Sequence, residues 1–318
     1  MSKTIKIGIT IGDPSGIGPE VVVKSLKKFR LPSDCEVFVF GDKIALVRSG
    51  LKGNKYKFNL IDLKNIKESE FRFGLLSKKF GMASFTYLKE AVKFLKKGRI
   101  DCLVTAPVNK EAINLNRVKF SGHTEFLASA FDIKDIVMMF VAKRLKLSLV
   151  TRHIALKDVA KAINKHIVFT TILLTYNALM NYFGIKLPKI AISGLNPHAS
   201  EDGLMGREED KIIKPVVTQF KKISKSIYGP LPADTIFKRA FDGEFDAVVC
   251  MYHDQGLIPF KMLHFYEGVN LILGLPFIRT SCVHGTAFDI AGKNKADYHS
   301  MLAAIDLAYR LTKNKLGR

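Results

Sequence analysis

The chain is poor in acid and in cysteine, and its sequence shows neither a signal-peptide pattern at its start nor a long uninterrupted apolar run. Asp and Glu number 29 against 50 Lys and Arg, which leaves a net charge of +21. An excess of that size suits nucleic acid, an anionic membrane or an acidic small-molecule substrate. The lysines are scattered (KSLKKF, FLKKGR, KNKADY) and form no stripe with interleaved aromatics, so a nucleic-acid-binding pattern is missing. The four cysteines, Cys35, Cys102, Cys250 and Cys282, are far apart and without CxxC spacing. They lie in apolar runs such as DAVVCMY and read as reduced core residues. No basic-then-apolar signal opens the chain, because MSKTIKIGITIG already alternates like a strand. The longest apolar stretch, Ile167 to Phe183, is interrupted by Thr170, Thr171, Thr175, Asn177 and Asn181. A buried amphipathic helix is expected there, not a membrane span. A cytoplasmic protein is the expectation. Internal repeats, low-complexity tracts and obvious linkers are absent as well.

What is present is enough for a large core. With 318 residues and 47% hydrophobic content the chain is long enough for two domains. Short apolar strands (IKIGITIG, CEVFVFGD, DCLVTAPV, KLSLVT, KIAISG, FDAVVCMY) alternate with polar loops and with helical patterns such as PEVVVKSLKKF and FTYLKEAVKFLKKG. That alternation predicts an α/β protein with largely parallel sheets, in which ligands bind at the carboxyl ends of strands. Three histidines fall just after predicted strand ends: His153 in TRHIAL, His198 in GLNPHASEDG and His253 in MYHDQG. Asp13 and Asn109 do the same. Neutral imidazole is the commonest metal ligand, and three of them make a catalytic site with a position open to substrate. Spacings of 45 (198 − 153) and 55 (253 − 198) residues leave the assembly of such a site to the tertiary structure.

The loops between strands supply further polar groups. GDPSGIGPE (12–20) is neither GxGxxG nor GxxxxGK[ST]; it suits a rigid strand-to-helix turn or an anion held by backbone N–H groups. TAPVNKEAI offers Thr105, Asn109 and Lys110. SGHTEFLA places His123 and Thr124 at a helix start, with Thr124 the expected cap and Glu125 favoured by the helix dipole. GPLPADTIF carries Asp234 in a Pro-rich turn, for which an Asx turn is the plain explanation. HDQGLIPFK sets His253, Asp254 and Lys261 near one strand end. In GVNLILGLPFIRTSCVHGTAFDIAGK stand Asn270, Arg279, His284 and Asp289, with Arg279 suited to a bidentate grip on carboxylate or phosphate. HGTAFDIAGK is too polar and glycine-rich for a core and reads as an extended binding loop.

Seven of these segments, GDPSGIGPE, TAPVNKEAI, SGHTEFLA, GLNPHASEDGLMGREE, GPLPADTIF, YHDQGLIPFK and HGTAFDIAGK, closely resemble the 4-hydroxythreonine-4-phosphate dehydrogenase (PdxA) family of pyridoxal phosphate biosynthesis. They occur in the family's order and span residues 12–293. GD–GIGPE and HG-A-DIAGK are also similar to the isocitrate and isopropylmalate dehydrogenases. The resemblance implies two α/β domains with a cleft between them. Residues 1–125 with 275–318 would form one, carrying the nucleotide loop, and 126–274 the other, carrying the metal ligands and the dimer interface.

The resemblance also implies an activity: NAD-dependent (or NADP-dependent) oxidation of 4-phosphooxy-L-threonine at C3 and decarboxylation to 3-amino-2-oxopropyl phosphate. Relatives of the family that oxidise D-threonate or D-erythronate 4-phosphate are the alternative. Carried over residue by residue, His153, His198 and His253 hold one divalent metal (zinc, magnesium or cobalt). His123, Thr124, Lys261, Asn270 and Arg279 meet the substrate, and His284, Gly285 and Asp289 meet the nucleotide. Asp234, Asp254 and Lys261 are the candidate proton acceptors. A homodimer with the active site at the subunit interface is implied too. His166, His264 and His299 match no site motif and are expected to be structural or surface residues.

Overall fold

The computed structural model describes residues 4–53 and 56–317. Contacts gather the chain into two compact units, Met1–Lys134 with Leu275–Arg318, and Asp135–Gly274. Strands in chain order are β1 (Ile5–Thr10), β2 (Cys35–Gly41), β3 (Asn59–Asp62), β4 (Cys102–Thr105), β5 (Val137–Val141), β6 (Lys146–Leu149), β7 (Ile190–Ser193), β8 (Ile227–Leu231), β9 (Ala247–Cys250), β10 (Val269–Leu273) and β11 (Ile278–Cys282).

In the first unit the strands lie in the order β3-β2-β1-β4-β11, each parallel to its neighbours. A parallel sheet needs both faces covered, and β4 and β11 are buried at every residue. The helices Lys78–Lys96 and His299–Lys315 pack against it. The first of these buries Phe80, Phe85, Leu88, Ala91 and Val92 on one stripe, and Phe94 meets Phe40 edge-on at 4.9 Å. Each of the Phe, Leu and Val side chains contributes roughly 1.5–3 kcal/mol by leaving water. Between β1 and the helix Gly18–Lys28 the chain turns at Gly12, φ +71°, where an added Cβ would lie 2.1 Å from the Pro107 carbonyl. Only glycine fits that turn.

The second unit has the order β10-β5-β6-β9-β7-β8. β10–β5 and β5–β6 are antiparallel, whereas β6–β9, β9–β7 and β7–β8 are parallel. The stretch read as a buried helix forms Lys165–Asn181, burying Val168, Ile172 and Leu179. Its Thr175 hydroxyl bonds Ser148 on β6 at 2.8 Å and its Thr171 hydroxyl donates to the Ile167 carbonyl at 2.7 Å, so these two are satisfied in the core, whereas Asn177 and Asn181 face solvent. Among the described residues no helix is long and apolar enough to cross a membrane. All four cysteines are free and buried. Burial, with the Asp34 and Glu36 charges adding, pushes the Cys35 thiol up to about 12.

Candidate active site

The three histidines sit at the carboxyl ends of three adjacent parallel strands. β6 ends at Leu149, β9 at Cys250 and β7 at Ser193, and His153, His253 and His198 follow within a few residues of each. The ends are tied together. Thr151 donates from both its backbone N–H (3.1 Å) and its hydroxyl (2.7 Å) to the Met251 carbonyl, joining the ends of β6 and β9. Buried Gln255 accepts from Met251 N–H at 2.7 Å and donates to the Gly194 carbonyl at 2.8 Å, joining β9 to β7.

His153 and His253 are neighbours, with ring centroids 5.5 Å apart. A metal–nitrogen bond of about 2.1 Å sets each ring centre roughly 3.2 Å from an ion, so two ligands at a tetrahedral angle have centres about 5 Å apart. The observed pair fits one divalent ion. His253 Nδ1 meets the Asp254 carboxylate at 2.6 Å, which orients the ring and leaves Nε2 for a ligand. Among the described residues no three His, Cys, Asp or Glu side chains stand together so as to hold a metal. One chain thus brings two of the histidines together and leaves His198 apart on its exposed loop. His198 opens a run of positive φ made of five non-glycine residues, His198 to Asp202, and closed by Gly203.

Lys261 departs from its expected place near the strand end. HDQGLIPFKMLH is a helix, His253–His264, despite Pro259 within it. Eight residues at 1.5 Å each carry Lys261 about 12 Å along the axis from His253, to an exposed position. Asp234 is not in an open turn. It lies exposed in the first turn of the helix Ala233–Phe241, where its charge complements the dipole. Asn270 is on β10 opposite Phe140, and its buried Oδ1 has no partner among the described residues.

In the first unit a second polar cluster gathers around Arg279. This residue is on β11, buried, and its Nη2 donates to the Thr105 hydroxyl on neighbouring β4 at 2.5 Å. Burial draws its pKa down to about 10, opposed by the Cys282 and Glu125 charges, so it stays cationic near neutral pH. Burial, then the positive Arg279 and Lys110, hold His123 well below its ordinary pKa, so its imidazole is neutral. His123 Nε2 and Arg279 Nε are both buried without a partner among the described residues. Orphaned buried donors beside a cation suit an anionic, hydrogen-bonding ligand. Thr124 is buried as the second residue of the helix His123–Ala130, and the cap is Gly122, without a side-chain bond. Thr124 therefore does not cap, because the helix starts two residues earlier than a Thr124 cap would set it. Asn109 caps the next-door helix Lys110–Asn114 by accepting from Ala112 N–H at 2.9 Å.

The glycine-rich segment His284 to Lys293 follows β11 without regular helix or strand. It is knitted to GDPSGIGPE: Ile17 N–H donates to the Thr286 carbonyl at 2.9 Å, and a Cβ on Gly16 would come within 2.9 Å of that oxygen. Gly285 and Asp289 are exposed. Burial opposes a charge on His284, but the Cys282 thiol and the Gly285 carbonyl outweigh it and raise the imidazole to about 9. Its Nε2 is buried and unpartnered among the described residues, so this loop has a polar group to offer a nucleotide.

Comparison with known proteins decides the family. Residues 30–308 match the family described as pyridoxal phosphate biosynthetic protein PdxA. The chain belongs to the PdxA family. It is similar to the 4-hydroxythreonine-4-phosphate dehydrogenase of Desulforapulum autotrophicum, 42% identical over 95% of this chain and 94% of that one. It is also similar to the D-threonate 4-phosphate dehydrogenase of Cupriavidus necator, 45% identical over 94% of this chain and 95% of that one. Among solved structures, the 4-hydroxythreonine-4-phosphate dehydrogenase of Klebsiella pneumoniae superposes with a TM-score of 0.85 at 37% identity, covering 98% of each chain.

Three residues that tie these strand ends and loops together carry no signal of it in the sequence: Thr151, Gln255 and the buried Glu209. Gln255 stands inside the YHDQ segment, and Glu209 is the last residue of GREE. Their residue types are ordinary for a helix surface, and only burial separates them from one.

Proposed function

We propose that this PdxA-family chain oxidises 4-phosphooxy-L-threonine at C3 with NAD or NADP. The product, 2-amino-3-oxo-4-phosphooxybutanoate, loses CO2 to give 3-amino-2-oxopropyl phosphate for vitamin B6 synthesis. The observation that carries the proposal is the His153–His253 pair at adjacent parallel strand ends, in a chain whose relatives bear that enzyme's name. His153, His198 and His253 would hold the divalent ion. When bound, such an ion supplies Lewis-acid polarisation of the reacting oxygen, as alcohol and again as ketone. His284, Gly285 and Asp289 would hold the nicotinamide cofactor, which when bound would supply the hydride acceptor.

The chain's own groups do the rest. Arg279 pairs its buried charge with the substrate's phosphate or carboxylate, and neutral His123 hydrogen-bonds beside it through Nε2. Thr124, Asn270 and Lys261 complete the substrate contacts. Asp254 holds His253 in the tautomer that presents Nε2. The hydroxyl proton goes to one of Asp234, Asp254 and Lys261, which D234N, D254N and K261M separate by their pH–rate profiles.

A homodimer belongs to the same reading. The helix His253–His264 exposes Ile258 (64%) and Met262 (83%) one turn apart, the turn after it exposes Phe265 (62%) and Tyr266 (63%), and such an apolar patch suits a second copy of the chain. There His198 of one chain would complete the ligand set in the assembled site.

A second reading, oxidation of D-threonate 4-phosphate, has its own support in the 45% identity to the Cupriavidus necator enzyme. The two substrates differ at C2, amino against hydroxyl. Nicotinamide reduction followed with both, in the presence of zinc, magnesium or cobalt and with NAD or NADP, decides between them. Higher kcat/KM on the threonate phosphate selects the second reading, and no reduction with either overturns both.

A further inference from the structure

We infer that Glu209 is a positioning residue for His198, an inference that rests on reading His198 as a metal ligand. Glu209 is completely buried. One carboxylate oxygen accepts from the backbone N–H groups of Leu195 (2.7 Å) and Asn196 (2.8 Å), and the other accepts from the Asn196 side-chain amide at 2.8 Å. All three donors belong to Leu195 and Asn196, in the segment that leaves β7 at Ser193 and reaches His198 two residues after Asn196. A buried carboxylate is costly, and here neutral N–H groups of a single loop satisfy it.

The loop needs such an anchor. His198, Ala199, Ser200, Glu201 and Asp202 have φ of 52°, 54°, 72°, 44° and 53°, a left-handed run without a glycine. Conformations this unfavourable persist only where the surroundings over-determine them, and they cluster at functional sites. The surroundings are tight: a Cβ on Gly194 would lie 2.8 Å from Ala199 Cα and 3.2 Å from the Glu209 carboxylate. Asn196 is gripped from its other side by Glu208, 2.9 Å from its Nδ2. Glu209 also opens a single π-helical turn, Glu209–Ile213, a local irregularity common beside functional groups. The strain is thereby spent on aiming the one segment that bears His198, and Glu209 sets its direction.

The test measures metal affinity, by competition of Co2+ with a chromophoric chelator, alongside thermal unfolding. The proteins are the wild-type, E209Q, H198A and the double variant. E209Q keeps the shape and two acceptor bonds, so it is expected to fold and to bind metal about tenfold to a hundredfold more weakly. In the H198A background the same change should leave metal affinity where H198A put it while still lowering the unfolding temperature. Wild-type affinity in E209Q, or an undiminished loss in the double variant, overturns the positioning role. Wild-type affinity in H198A overturns the reading of His198 itself, which tells the two failures apart. If E209Q does not fold, N196A removes one of the three bonds and is read in the same cycle.

Discussion

The side-chain amide of Gln255 lies 2.8 Å from the carbonyl of Gly194 and bridges two strand ends that carry candidate ligands. The bond is buried, and the same amide satisfies Met251 N–H. In Q255A the Met251 N–H loses its partner inside the core, and the Gly194 carbonyl keeps only the Ser193 hydroxyl at 3.0 Å. Leaving a buried N–H unsatisfied costs about 1–3 kcal/mol, and a stability loss of that size by urea unfolding is expected. Metal affinity should fall with it, since the ends of β7 and β9 are no longer held together. An unchanged unfolding midpoint would show that water replaces the amide.

Arg279 is buried against Thr105 with one guanidinium nitrogen still orphaned. R279K keeps the charge but loses the planar fork, and charge-assisted bonds of this kind are worth about 1.5–3 kcal/mol. KM for the phosphorylated substrate is expected to rise roughly tenfold to a hundredfold while kcat changes less. A KM equal to wild type removes Arg279 from substrate binding.

His123 and Asp13 should pull stability in opposite directions with pH. The folded pKa of His123 is depressed, first by burial, so its contribution is present above the ordinary value near 6.5 and is lost as pH falls below it. H123N should flatten that acid-side loss in urea midpoints measured from pH 7.5 down to about 5.

Asp13, at the turn after β1, is raised to about 6 by burial, against the Ser15 N–H bond that lowers it. A raised carboxyl favours the folded state below its unfolded pKa of 3.8, and that contribution is lost as pH rises through about 6. The span amounts to something on the order of 3 kcal/mol. D13N keeps the acceptor for Ser15 N–H and should remove this decline between about pH 4 and pH 6. A decline that survives in D13N assigns it to another group.

The exposed face of the helix from His253 makes the oligomeric state testable. M262E sets a charge in the centre of that face and is expected to yield monomer by sedimentation, with activity falling as the dimer is lost. Wild-type assembly in M262E moves the interface elsewhere.

The residues themselves determined a good deal. Short Val- and Ile-rich runs such as IKIGIT and AVVC, alternating with helical patterns, read as strands, so an α/β fold with parallel sheets was legible. So were the polar residues that follow each strand. The tertiary structure alone decided which strand ends are neighbours. The order β6-β9-β7 is not the chain order, because pairing partners are chosen by burial of whole faces across some 50–100 residues of intervening chain. That choice sets His153 beside His253 and leaves His198 on a strained loop. It also buries Arg279 within β11, and the helix from His253 carries Lys261 two turns away from the imidazole it follows in sequence. Glu209 and Gln255 were invisible for the same reason: a Glu or Gln becomes an anchor only when packing removes its water, and no local pattern records where that happens.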